Sequence, residues 1–475
     1  MTLFSLDSFP AERPAAIDDT GCVLSYGELS QISARLAKKI PSGTVAIVLV
    51  TNSLGCIAVI VALIKQRVVP VLLDARASEE TITLYLERYQ PDVLVVPVAV
   101  QDKYSAYGSA LRVFTHEVLV NKHLLDRPAV HPELALLLST SGSTGNPKAV
   151  RQSRQNLLSN AQAIADYLSI STSDRPITSL PLHYTYGFSI LSSHIQTGAT
   201  LLVTERSILE KAFWDFFNEA GATSLAGVPY TYQMLKRIGF LKKKPPTLRT
   251  LTQAGGKLPV ALVREFAEYA ERTGIDFFVM YGQAEATARI SYVPSTRALE
   301  KAGSIGIAIP GSELFLEDAA GYKIISNDVE GQLGCRGANV TMGYAENRAD
   351  LTKGDERQGS LLTGDLARRD QDGFYYITGR LSRMVKVFGK RVNLDDLEQI
   401  CQCLVPEVAC LGAEDSVTVC ITDGQHLDSL PQLLAKRTGI HASAYHVRIV
   451  SSLPRTAAGK IDYQALLREK VAHYD

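Results

Sequence analysis

The sequence predicts an α/β protein. A large N-terminal domain of mainly parallel sheets covered by helices precedes a small C-terminal α+β domain. Three observations carry this. Short apolar runs alternate with helical patterns over the first two-thirds of the 475 residues. The runs are unalternated, as buried parallel strands are, and each ends in glycine or a small polar residue. From about residue 380 the texture changes to short strands and amphipathic helices, filling roughly the length of a small domain.

The elements follow in order. "VAIVLVTNSLGCIAVIVALI" at 45–64 carries no charge and imitates a membrane span. Thr51, Asn52, Ser53 and Gly55 interrupt it, so it reads as a buried strand, a turn and a buried helix, with a second strand at "VVPVLLD". "DVLVVPV", "LLLST", "ATLLVT", "LRTLTQAGG" and "DFFVMYG" are further strands of the same kind. Beyond residue 380, "FYYITG" and "MVKVFGKRVN" suggest a strand pair around a charged link. "LDDLEQICQCL" has helical spacing of Leu394, Leu397, Cys401 and Leu404. "VACLGA", "SVTVCITDG" and "YHVRIVSSL" are strands, and "LPQLLAKRTG" and "YQALLREKVAHY" are helices.

Composition excludes several functions. Lys+Arg and Asp+Glu both number 49, so no global basic field favours nucleic acid or an anionic membrane. The seven cysteines are odd in number and lack C-x-x-C pairs. The four between 401 and 420 do not have zinc spacing. Reduced, mostly buried thiols in the cytoplasm fit them. No signal peptide and no integral membrane segment is expected.

In parallel α/β sheets, ligands gather at the carboxyl ends of strands. There stands "LLLSTSGSTGNPKAV" at 136–150. Ser139 through Gly145 offer hydroxyls and backbone N–H groups with little bulk, a nest for phosphate oxygens, and Lys148 adds a mobile charge. The next segment is a helix capped by Ser153. It is not a Walker A loop, which requires G-K-[ST].

Four further stretches occur in fixed order: "YGQAEAT" at 281–287, "LLTGDLARRDQDGFYYITGR" at 361–380, "VKVFGKRVNLDDLE" at 385–398 and "LPRTAAGKIDY" at 453–463. With "STSGSTGNPKA" they resemble the AMP-forming adenylating superfamily of acyl-CoA synthetases, carrier-loading adenylation domains and luciferases. The resemblance runs from "LSYGELS" at 24–30 to Lys460.

The resemblance implies a two-step reaction. A carboxylate attacks the α-phosphate of Mg-ATP, giving an acyl-adenylate and pyrophosphate; a thiol of CoA or of a carrier-protein phosphopantetheine then displaces AMP. It implies domains at 1–379 and 384–475, with a hinge at 380–383 about which the small domain rotates. Ser141, Gly142, Ser143, Thr144, Gly145 and Lys148 are expected to hold the β- and γ-phosphates. Thr144 and Glu285 are expected to hold Mg²⁺. Gly255 and Gly256 are expected against the adenine, with Tyr281 stacked on it and Gly282 adjoining. Asp365 and Arg380 are expected on the ribose, and Lys460 between carboxylate and α-phosphate. Gly389 is expected to pass the pantetheine arm.

Ala284 stands where the family has threonine, removing a hydroxyl near the α-phosphate, and Ser382 replaces the hinge Asp or Lys. The chain is also somewhat short for the family, which implies a trimmed acyl pocket or trimmed covering loops. "LPLHYTYGFSIL" shapes the acyl pocket, with His183 where amino-acid-activating relatives carry aspartate. A small fatty, aryl or other non-amino carboxylic acid is therefore favoured. The alternatives are an amine or hydroxyl acceptor, amino-acid activation, and a non-catalytic nucleotide-binding relative.

Overall fold

A computed structural model describes residues 2–122, 129–139, 148–413, 415–456 and 460–471. Two compact units emerge. One comprises the chain to Leu314 together with Cys335–Leu361; the other comprises Phe315–Gly334 and the chain from Leu362 onward.

The first unit is built on two sheets. One runs Gly343–Ala345, Ala149–Ser153, Leu134–Ser139, Val69–Asp74, Val45–Val50, Val93–Pro97, His116–Asn121, Tyr107–Val113. Its centre is parallel and its margins antiparallel. The other runs Ile307–Ala308, Ser291–Val293, Asp276–Tyr281, Thr250–Gln253, Ser224–Gly227, Pro176–Ile177, Leu201–Val203, Pro14–Asp18, Val23–Ser25, parallel from Asp276–Tyr281 through Pro14–Asp18.

The strand Val45–Val50 shows why unalternated runs form such sheets. Ala46, Val48 and Val50 enter one core cluster, while Val45, Ile47 and Leu49 enter another. Both faces are covered, so both parities must be apolar. The helix Leu54–Lys65 shares the first cluster with strand residues of both sheets. Surrounded on all sides, it has no polar face, and every residue from Leu54 to Ile64 is buried. That explains the membrane-like stretch; among the described residues no helix is long and apolar enough to cross a membrane. Ser153 caps the helix Arg154–Tyr167 as expected, in a reciprocal box with Asn156.

The second unit holds most of a sheet ordered Lys323–Ile324, Ser312–Glu317, Gly331–Gly337, Ser360–Arg369, Tyr375–Arg380. It continues through a hairpin, Met384–Val387 with Lys390–Asn393, and a sheet of Val408–Ala413, Ser416–Ile421 and Tyr445–Ile449. The helices Leu394–Cys401, Ser429–Thr438 and Tyr463–Val471 accompany them. Arg383 anchors this region. It lies 2.7 Å from Asp395 and 2.5 Å from Glu398, and 4.0 Å over the Tyr463 ring.

The hairpin corrects one expectation. Leu381–Arg383 does link "FYYITG" to "MVKVFGKRVN", but the latter, expected as one strand, folds back on itself at Phe388-Gly389, both with positive φ (48° and 78°). Two left-handed residues in succession are what a tight two-residue hairpin demands. The hairpin Tyr107–Val113 with His116–Asn121 has no counterpart among the sequence expectations, and of the five-stranded sheet only Tyr375–Arg380, within "FYYITG", has one. Strands such as Tyr107–Val113 and Ser360–Arg369 are partly exposed and mix polar with apolar residues, so no apolar run marks them.

Candidate active site

In the first unit the expected residues collect at carboxyl ends of strands. Gln253 pairs with Val279 in the parallel register, so Gly255 and Tyr281 each come two residues after that pair, at the carboxyl ends of neighbouring strands. Gly255 has φ +85°, and a Cβ there would meet the Tyr184 hydroxyl at 2.5 Å. No other residue fits that corner. Gly256 accepts a 2.9 Å hydrogen bond from Gln253 through its carbonyl oxygen. Gly282 has a different cause: a Cβ there would collide with the Ala288 carbonyl, so close backbone packing demands the glycine.

After Tyr281 the chain turns through Ala284–Ala286. The Glu285 carbonyl accepts from the Thr341 hydroxyl at 2.9 Å and from Arg357 Nη1 at 3.1 Å. Its carboxylate Oε1 accepts from the Tyr344 hydroxyl at 2.8 Å. Burial, with Glu285 second, pushes the Tyr344 phenol up to about 12, so it stays a donor. Glu285 Oε2 has no hydrogen-bond partner among the described residues.

Lys148 leads into the strand Ala149–Ser153, which pairs with Gly343–Ala345. Its Nζ lies 2.7 Å from Glu346 Oε1, with both side chains partly exposed. One short edge strand thus carries Tyr344, which holds Glu285, and is followed by Glu346, which meets Lys148. Ser141, Gly142, Ser143, Thr144 and Gly145 lie outside the described residues.

His183 sits on the other flank, Nε2 3.8 Å from Asp74 Oδ2, with Nδ1 buried and lacking a hydrogen-bond partner. Burial pulls this imidazole below its ordinary value, against the opposing pull of Asp74, which favours the neutral form at pH 7. A neutral ring does not replace the carboxylate that would pair with a substrate ammonium. Asp74 itself is engaged with the Arg76 backbone at 2.9 Å and side chain at 3.2 Å.

In the second unit, Asp365 and Arg380 are directly opposed in antiparallel register, and Arg380 Nε donates to Asp365 Oδ1 at 2.7 Å. Asp365 is buried and Arg380 is half exposed. Gly389 occupies the hairpin turn, where a Cβ would meet open space but the φ of +78° would strain it. Lys460 is exposed; its carbonyl accepts from the Thr456 N–H at 2.8 Å, beside the bridge Arg455–Ile461.

The AMP-binding enzyme family matches residues 5–345. The chain belongs to this family. Within that AMP-binding family, a 2-succinylbenzoate–CoA ligase of Bacillus pumilus is 26% identical over 92% of this chain and 91% of the relative. A probable CoA ligase, CCL9, of Humulus lupulus is 26% identical over 92% and 90%. The o-succinylbenzoate CoA synthetase of Bacillus subtilis, solved with its acyl-adenylate OSB-AMP, superposes with TM-score 0.79 at 22% identity, covering 98% of both chains. The same protein solved with ATP and magnesium ion superposes with TM-score 0.78. The AMP-binding fold, with its large α/β portion, is thereby established for this chain.

Sequence reasoning missed Tyr344, Glu346, Asp74 and Arg289. The first three act across distant elements. Arg289 had a local signal: a lone charge amid the small and apolar residues of "ATARIS".

Proposed function

We propose that this AMP-binding enzyme is an AMP-forming acid–thiol ligase, joining a small non-amino carboxylic acid to the thiol of CoA. A phosphopantetheine on a carrier protein is the second candidate acceptor. The observation that carries the reading is the adjacency of Gly255 and Tyr281 at the carboxyl ends of neighbouring strands, with Glu285 held just beyond. In this reading the adenine lies between Gly255 and Tyr281, next to a carboxylate suited to a cation.

The donors fit Mg²⁺. The Glu285 oxygen without a hydrogen-bond partner among the described residues would hold the ion, which takes few protein oxygens when phosphates share it. Among the described residues no cluster of three or more His, Cys, Asp or Glu could hold a metal by itself, which suits an ion shared with a nucleotide. When bound, Mg²⁺ neutralises charge on the departing pyrophosphate.

The chain's own groups divide the remaining work. Lys148 releases Glu346 and turns to the β- and γ-phosphates, joined by the loop from Ser141 to Gly145. Asp365, oriented by Arg380, accepts from the ribose hydroxyls. Lys460 meets both the attacking carboxylate and the α-phosphate, so its charge is felt most as the acyl O–P bond forms and the bond to pyrophosphate breaks. The segment 380–383 is the hinge about which the small domain exchanges Lys460 for the turn at Gly389. The thiolate then attacks the acyl carbon and AMP leaves with the electron pair of the C–O bond.

The test is pyrophosphate release with ATP, Mg²⁺ and a panel of carboxylic acids, followed by mass spectrometry of the products with CoA. An acid-dependent release and a CoA thioester are expected. Release without thioester, with amide or ester formed from added amines or alcohols, would transfer the protein to the other acceptor class. No acid-dependent release would overturn the reading.

A further inference from the structure

Behind the Gly255 corner lies a cavity within the first unit. It is lined by one end of the helix Arg154–Tyr167, by one face of Thr185–Thr197, and by the strands Ser224–Gly227 and Thr250–Gln253. Tyr184, whose hydroxyl faces Gly255, lies 6.4 Å from Tyr186, which lines the cavity. Most of the wall is apolar or already satisfied. Ser189 and Ser193 donate to carbonyls of their own helix, and the Tyr186 hydroxyl bonds Thr252.

Arg289 is the exception. It lines the cavity, is 3% exposed, and stacks 4.0 Å over the Tyr186 ring. Its Nε lies 3.4 Å from the Met280 sulfur, a weak acceptor, and the Tyr167 hydroxyl stands beside it. No carboxylate pairs with it among the described residues. The one acid on the cavity wall, Asp174, is taken by Arg249, Thr223 and Ser171. His194 is no rival cation, since burial holds it at about 4. A buried guanidinium normally has a partner anion, because desolvation without one is expensive.

We infer that the missing anion comes with the substrate: Arg289 reads a second carboxylate, and the acid this enzyme activates is a dicarboxylic acid. One carboxylate is activated beside the nucleotide and the other seats against the guanidinium. A planar guanidinium fork matches a planar carboxylate in two parallel hydrogen bonds. A single cation also balances a single negative charge, whereas a phosphate dianion would call for a second. The inference rests on the ligase reading above and names the substrate class of that same site.

The experiment compares dicarboxylic acids with their monomethyl esters, straight-chain and aryl, by pyrophosphate release. Each ester keeps one carboxylate to activate and loses the other. The wild-type enzyme is expected to prefer the diacid by about 100-fold in kcat/KM, the loss expected when a hydrogen bond between charged groups goes unmade. Arg289→Met, matched in length and uncharged, should collapse that ratio to near one, and Arg289→Lys should keep part of it. The melting temperature of Arg289→Met should hold or rise, because an uncompensated cation has been removed. Release with esters as fast as with diacids in the wild type would overturn the inference and leave the ligase reading standing. A lowered melting temperature with an unchanged acid ratio would make Arg289 a structural strut and overturn it too. No release with any acid would overturn the ligase reading instead. If Arg289→Met does not fold, the wild-type ratio still decides.

Discussion

The Tyr344 hydroxyl and the Glu285 carboxylate meet at 2.8 Å across 59 residues of chain. The bond engages one oxygen of Glu285 and leaves the other without a hydrogen-bond partner among the described residues. Tyr344→Phe removes it without changing the ring, which stays under Arg357 at 4.7 Å. A hydrogen bond to a charged group is worth roughly 1.5–3 kcal/mol, so adenylation should fall ~10- to 100-fold. The loss should appear mainly as a higher Mg²⁺ requirement in pyrophosphate release. An unchanged magnesium titration would remove Tyr344 from the site.

Ala284 opens the same turn, its carbonyl 3.4 Å from Gln152 Nε2. Restoring a hydroxyl by Ala284→Thr should preserve or improve the first half-reaction, by at most the worth of one charged hydrogen bond, ~10- to 100-fold. A severe loss of pyrophosphate release in a folded variant would mean that this turn holds the α-phosphate differently from its relatives.

Lys460→Ala should slow acyl-adenylate formation ~10²–10³-fold, the usual cost of a lost transition-state cation. Nucleotide binding should persist by calorimetry, and thioester formation from supplied acyl-adenylate should survive. Wild-type adenylation in the variant would refute the assignment.

Gly389 needs a gentler probe than a bulky side chain. Any β-branched or large residue at φ +78° costs about 1–2 kcal/mol in backbone strain alone. Asparagine tolerates that conformation, so Gly389→Asn separates bulk from strain. It should leave the initial pyrophosphate burst near normal while thioester output drops and acyl-AMP accumulates. Equal loss of both half-reactions with an unshifted melting temperature would detach this turn from the thiol step.

His116 and His194 are both buried, and burial pulls each to about 4 from an unfolded value near 6.5. The unfolded chain therefore binds protons that the folded one refuses. Stability is complete above pH 6.5 and drains as pH falls toward 4, by up to roughly 3 kcal/mol for each histidine. Melting temperatures taken from pH 7.5 to 4.5 should decline accordingly, and His116→Gln should flatten the slope. A level profile between pH 7 and 5 would contradict the burial of both rings.

What could be read from sequence follows from range. The strands Val45–Val50, Val69–Asp74 and Asp276–Tyr281 were legible because burial on both faces leaves an unbroken apolar run. Gly255 was legible because its motif is local. Tyr344 was not, because nothing near it in sequence records that it answers to Glu285. Arg151 is similar: it is wholly buried, and its guanidinium gathers the carbonyls of Met342, Tyr344, Lys353 and Gly354. A pattern that looks like surface charge in one dimension is a core tie in three.

The edge strand Gly343–Ala345 has a mechanical meaning. It keeps the cation of Lys148 and the anion of Glu285 in step, since its own Tyr344 and the adjoining Glu346 grip one each. The two anchors lie two residues apart in sequence, so the backbone there, with about 3.3 Å of rise per extended residue, helps gauge the spacing of the two opposite charges. The gauge holds until a nucleotide draws Lys148 away from Glu346. Natural drift at Tyr344 or Glu346 would recalibrate that gauge without touching a single residue that faces the phosphates.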